Sequence, residues 1–187
     1  MPRPMDAASR FDRRNTPLTR LLDAVPDDAW DRPSPCAGWS AADVVQHMID
    51  TQRTFMLQAG ASMPNPEPKV TDGPATAWRT HAEAVARALA DDRIGEKPHE
   101  TPFGTSTVGD VFDAFYGFDL VVHRWDVARA TGVDARLTDD ELDAIEEAAG
   151  QWGEQLYAEG VCADPVEVGA DEPREVRVLA RLGRDAR

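Results

Sequence analysis

Trp39-Ser40-Ala41-Ala42-Asp43-Val44-Val45-Gln46-His47-Met48 is the stretch from which the rest of the chain is read. Ser40 is placed to cap a helix, Asp43 stands at the third helical position, and Trp39 can pack on Val44 as a hydrophobic staple. The helix that begins there carries Val44, Val45, Met48, Phe55 and Met56, and spans about 41–60. Upstream, Phe11, Leu18, Leu21, Leu22 and Val25 share one face of a first helix, about 5–25, closed by Pro26. A loop with Pro33 and Pro35 joins the two. Downstream, Pro64, Pro66, Pro68 and Pro74 make a loop of Met63–Pro74. An alanine-rich third helix, about 75–91, follows with Trp78, Val85 and Leu89. After a second loop, about 94–106, with Pro98, Pro102 and Gly104, Thr107 caps a fourth helix of about 108–130 that stops before Gly132. Thr138 and Glu141 form the capping box of a fifth, about 139–157. Within the tail, 170–187, Val176, Leu179 and Leu182 form a short amphipathic turn. Strand signals are weak throughout, and Val166-Glu167-Val168 is too short to count. The pattern predicts an all-α protein: four main helices in a bundle, a fifth helix and a docked tail, as one domain over 1–187.

Composition narrows the partners. The chain has 187 residues, 42% hydrophobic and 29% charged, the profile of a globular protein with a sizeable core. Its 34 acidic residues against 20 basic ones give a net charge of -14, which repels phosphate backbones and anionic headgroups, so neither nucleic acid nor a membrane surface is an expected partner. Asp113 and Asp119 interrupt the apolar run Val111–Val122, so it does not span a bilayer. The opening residues carry no apolar signal core, and a cytoplasmic location is expected. The two cysteines, Cys36 and Cys162, are too few for a disulfide scaffold or a cysteine-rich metal site and fit a reducing compartment.

The candidate chemistry lies in the fourth helix. Asp119 and His123 stand at i and i+4, with Cβ atoms roughly 5–6 Å apart. Their face also carries Phe112, Phe115, Tyr116, Val122 and Ala130, so an ionised carboxylate there needs a partner. Two readings remain open: a buried hydrogen-bonded Asp–His pair, or a shared cation. His47 lies about as deep in the second helix as His123 lies before the end of the fourth, on the order of 10 Å from the helix ends. If those helices are antiparallel neighbours, His47, Asp119 and His123 share one level, a ligand pattern for a catalytic metal with positions left open. A lone core histidine is the competing reading of His47. Asp126, at i+3 from His123, is either an acceptor for its second ring nitrogen or a capping or solvated residue near the helix end. Cys36, in a tight Pro-Cys-Ala-Gly-Trp turn, reads as a packing residue. His81 and Trp78 read as ordinary helix residues.

Ser34-Pro35-Cys36-Ala37-Gly38-Trp39-Ser40-Ala41-Ala42-Asp43-Val44-Val45-Gln46-His47-Met48 resembles the first block of the DinB-like superfamily. More narrowly, it resembles the actinobacterial branch named for the mycothiol-dependent maleylpyruvate isomerase N-terminal domain. Asp119-Leu120-Val121-Val122-His123-Arg124-Trp125-Asp126-Val127-Ala128 resembles the second block. Leu179-Ala180-Arg181-Leu182-Gly183-Arg184-Asp185 is similar to the closing block of a small actinobacterial metal-binding subfamily. The resemblance implies an up-down-down-up four-helix bundle around a divalent metal; the ligand set does not decide between zinc and nickel. It implies ligands at His47, Asp119 and His123, where the isomerase-type pattern has His, Glu and His. It also implies mycothiol as a co-substrate, and transfer of its sulfur to, or isomerisation of, a small electrophile.

Asp119 is one methylene shorter than the Glu of that pattern. The isomerase-type enzymes also carry a further C-terminal domain, so maleylpyruvate as substrate is not carried over. A non-catalytic metal- or small-molecule-binding protein and a metal-dependent hydrolase are the alternatives. No residue declares itself as general acid, and the sequence leaves the oligomeric state open between monomer and homodimer. In the implied topology the third helix runs parallel to the second, bringing Trp78 and His81 towards the mouth of the site. Arg10, Arg13, Arg14 and Arg124 are the local candidates to attract a carboxylate-bearing thiol.

Overall fold

A computed structural model describes residues 5–101, 104–158 and 160–187, so Pro102 of the second expected loop lies outside the described residues. The chain divides into two compact units, Met1–Ala135 and Arg136–Arg187.

The first unit opens with α1 (Ala7–Ala24), capped where Ser9 N–H donates to the Asp6 carboxylate at 2.8 Å. α2 (Ala41–Ala59) starts on a full capping box: Asp43 N–H donates to Ser40 Oγ at 3.2 Å and Ser40 N–H donates to Asp43 Oδ2 at 2.8 Å. Such a box is worth on the order of 1 kcal/mol and sets the phase of every residue behind it, His47 included. α3 (Pro74–Ala90) begins on a proline, whose missing N–H costs nothing in a first turn. α4 (Asp92–Gly95) is a single turn.

Where a loop was expected, Pro98–Thr101 (β1) pairs antiparallel with Gly104–Thr107 (β2), Pro98 facing Thr107 and Thr101 facing Gly104. The described strand residues are exposed or half-buried. They therefore lack the alternation of apolar residues by which a strand is recognised in sequence.

The expected fourth helix is also not uniform. It consists of α5 (Val108–Phe112), a wide π-helical turn over Asp113–Gly117, and α6 (Phe118–Thr131), ended by Gly132 at φ 79°. The glycine in the wide turn has a steric reason. A Cβ on Gly117 would stand 2.8 Å from Arg14 Nε and 2.9 Å from Asp113 Oδ1, the two atoms that pair with each other at 2.9 Å. A side chain at 117 would collide with the pair that ties α1 to the turn. Helical periodicity carries no sign of the extra residue, because the sequence stays helical through it.

Contacts between the helices give their directions. Arg10 pairs with Asp110 and Arg14 with Asp113, rising together, so α1 runs parallel to the α5–α6 segment. Phe55 packs on Tyr116 and His47 on His123, in opposite order, so α2 is antiparallel to it. Val70 N–H donates to Gln46, His81 pairs with Gln52 and Lys97 reaches Ala59 O, rising together, so α3 runs parallel to α2. Leu18, Leu22, Met48, Ile49, Met56, Trp78 and Leu120 are fully buried between these helices. Each such side chain contributes about 1.5–3 kcal/mol.

In the second unit, α7 (Asp139–Trp152) starts on the Thr138–Glu141 capping box and continues as a 3₁₀ turn over Gly153–Tyr157. α8 (Arg174–Arg181) is tied to α7 where Arg181 donates to Ala149 O at 2.9 Å, and Leu179 and Ile145 are both buried.

Candidate metal centre

α2 and α6 bring His47, Asp119 and His123 together. His123 Nε2 lies 3.2 Å from Asp119 Oδ1, and His47 Nε2 lies 3.9 Å from Asp119 Oδ2. The imidazole rings meet edge to face at 5.2 Å, and one ligand atom from each residue lies within 4.8 Å of the other two. His123 is almost enclosed, with 7% of its side chain exposed, while His47 and Asp119 each keep 27%. The cluster therefore opens on the His47 and Asp119 side. The Trp39 ring lies 4.7 Å from the His47 ring, so the residue that precedes the helix cap also flanks the opening.

Behind His123 stands a second layer. Asp126 is fully buried and its Oδ2 lies 2.8 Å from His123 Nδ1. A carboxylate only accepts, so Nδ1 carries the proton and donates. Of the two readings open to Asp126, the acceptor is the one the structure contains. Cys36 Sγ donates to the same Asp126 oxygen at 3.3 Å. The turn that holds the thiol is the one that leads into α2: Cys36 N–H donates to Ser34 Oγ, and Trp39 N–H donates to Cys36 O. The packing residue of the sequence reading thus also has a polar role. Cys36, His123 and Asp126 form a second group of potential ligand atoms that sequence spacing does not signal, since it crosses from a loop to a helix.

Electrostatics separate the two histidines. Burial alone would push His123 down, but the Asp119 charge and the hydrogen bonds it shares with Asp119, Asp126 and Cys36 together raise it well above the ordinary imidazole range. His47 is lowered, first by burial and then by the positive charge of His123, against a smaller opposite pull from Asp119. His47 is therefore neutral near pH 7, the state in which imidazole offers a lone pair. Burial, then the Asp119 charge, hold the Tyr116 phenol above its usual value.

Two imidazole nitrogens and a carboxylate oxygen, one imidazole fixed from behind by a buried carboxylate, are a fitting donor set for a divalent transition metal. Asp126→Asn keeps an acceptor but loses its charge. Metal affinity is expected to fall roughly 10–100-fold, measured by competition with a chromophoric chelator. An unchanged affinity would show that Asp126 is only a packing partner.

The other named residues lie elsewhere. Trp78 and His81 are fully buried core residues, not residues of the mouth: Trp78 Nε1 donates to Asn15 Oδ1 at 2.9 Å, and His81 pairs with Gln52 at 3.0 Å. Arg10 and Arg14 are engaged with Asp110 and Asp113, Arg124 is buried, and Arg13 is exposed. His99, on β1, packs on Phe55 at 5.4 Å.

Residues 11–128 match the family described as the mycothiol maleylpyruvate isomerase N-terminal domain. The chain belongs to this family. The matched range contains the whole cluster, from Cys36 and His47 to Asp119, His123 and Asp126. Two uncharacterized proteins of Mycobacterium tuberculosis, one from strain CDC 1551 and one from strain H37Rv, are each 28% identical over 186 residues, covering 98% of this chain and 100% of their own length. No solved structure matches the chain significantly. Among the described residues, no helix of this family member is long and apolar enough to cross a membrane.

Proposed function

We propose that this protein holds a divalent metal at His47, Asp119 and His123 and uses a low-molecular-weight thiol, mycothiol by its family, for S-transfer to a small electrophile or for its isomerisation. The convergence of those three side chains at one level of the bundle carries the reading. A zinc or nickel ion in such a site favours the thiolate form of a coordinated thiol near neutral pH. The protein's own part is orientation. Asp126 keeps the proton on His123 Nδ1 and so leaves Nε2 to face the cluster. Asp119 supplies a negative charge between two imidazoles. Three protein donors leave at least one position for a ligand, on the side where His47 and Asp119 reach solvent.

Cobalt in place of the native metal tests the thiol half of the proposal. Adding mycothiol, or a simpler thiol such as cysteine, is expected to produce a sulfur-to-cobalt charge-transfer band. If no thiol produces that band, alone or with an electrophile present, the transferase reading gives way to a binding protein. Hydrolysis of a test ester without any thiol would favour a hydrolase instead.

A further inference from the structure

We propose that Cys36 is a positioning residue of the metal centre: its thiol donates to the Asp126 carboxylate and so fixes the oxygen that holds His123 with Nε2 towards the cluster. The inference rests on the metal reading above and extends the centre outward by one residue, onto a loop.

The geometry is a chain of two hydrogen bonds. Asp126 Oδ2 lies 2.8 Å from His123 Nδ1 and 3.3 Å from Cys36 Sγ, so one oxygen of a fully buried carboxylate receives both protons. A carboxylate only accepts, which makes the S–H the donor. Nδ1 and Nε2 are distinct edges of the imidazole, and Nε2 faces Asp119 at 3.2 Å. Cys36 therefore stands on the far side of the ring from a metal held at Nε2, where it acts through Asp126.

The thiol is placed by its own turn. Ser34 N–H donates to Trp39 O at 2.8 Å, Trp39 N–H to Cys36 O at 3.0 Å, and Cys36 N–H to Ser34 Oγ at 3.2 Å. Pro33 and Ser40 close the turn as an antiparallel bridge. Arg32 donates to Thr131 O at 3.1 Å and ties the same loop to the end of α6. A donor anchored in this way limits rotation of the Asp126 carboxylate, and a carboxylate that cannot rotate holds the imidazole in one orientation. The turn also carries Trp39, whose ring lies 4.7 Å from that of His47. One short loop thus reaches the surroundings of both candidate ligand histidines.

Infrared spectra and cobalt titration test the role. In Cys162→Ala protein the remaining S–H stretching band belongs to Cys36, since the chain has two cysteines. Adding Asp126→Asn should move that band to higher frequency, because the acceptor has lost its charge. This readout needs no metal. Cys36→Ala is expected to weaken cobalt binding roughly 3–10-fold and to alter the ligand-field bands, with helical circular dichroism unchanged. Cys36→Ser keeps a donor and should recover much of the loss. In an Asp126→Asn background, Cys36→Ala should cost less than about twofold, because its effect runs through the carboxylate. Equal losses in the two backgrounds, or no loss in either, overturn the positioning role and leave Cys36 a packing residue. An S–H band indifferent to Asp126→Asn overturns the hydrogen bond itself. If the band shifts but the unmodified protein takes up no cobalt, the metal reading falls, and the positioning role with it, while the Cys36–Asp126 bond stands.

Discussion

His47→Ala is expected to abolish stoichiometric metal binding while leaving the helical circular dichroism spectrum intact. His47 is partly exposed and, among the described residues, no hydrogen bond to its ring holds the fold together, so its loss removes a metal donor without stranding a buried partner. The fall in affinity should exceed the roughly 10–100-fold that loss of an outer partner costs. His123→Ala should lose metal as completely but also destabilise the protein, because it removes the imidazole that Asp126 accepts from in a fully buried position. At Asp119 the charge matters more than one methylene, so Asp119→Glu should retain more metal than Asp119→Asn. Elemental analysis of the purified variants, with chelator competition, reads all four. Full metal content in both His47→Ala and His123→Ala would sink the assignment.

A second large effect belongs to His81 and to stability rather than to the metal. His81 is fully buried against Gln52 and Trp78; burial first, then the charge of Arg53, lower it from 6.5 to about 4, against a weaker opposite pull from Glu67. Between those two values the unfolded chain binds a proton at this position and the folded chain does not. Stability therefore rises with pH across the window: the contribution is fully present above 6.5 and is lost as the pH falls through about 4. The loss amounts to about 3 kcal/mol over the window, a large share of the stability of an ordinary domain. Urea unfolding at pH 7 and pH 4.5 of the unmodified protein and of His81→Leu measures it. The variant should be less stable at pH 7, where Gln52 has lost its partner, yet its stability should fall less between the two pH values. Parallel pH dependences would show that His81 does not titrate in this way.

Much of this architecture was legible in short-range spacing. Ser40 with Asp43, and Thr138 with Glu141, announce helix starts at the places where both capping boxes are found, since the reciprocal bonds need only residues three apart. The proximity of Asp119 and His123 follows likewise from one helical turn. The pairing of Pro98–Thr101 with Gly104–Thr107 was illegible because these strands carry no apolar face, and the wide turn because it leaves helical composition undisturbed.

What the sequence by itself determined is therefore what one element encodes alone: where helices begin, which of their faces is apolar, and which polar pair shares a turn. What only the tertiary structure decided is which groups meet across elements. His47 meets Asp119 because α2 and α6 run in opposite directions at matching depth. Cys36 reaches Asp126 because the turn leading into α2 folds onto the far end of α6, where Arg32 also bonds Thr131 O. His81 is a core residue because α3 lays it against Gln52. The physical reason is the same each time. A side chain's direction follows from backbone dihedrals a few residues away, whereas its partners follow from how buried surfaces of distant segments fit, and no local periodicity carries that information.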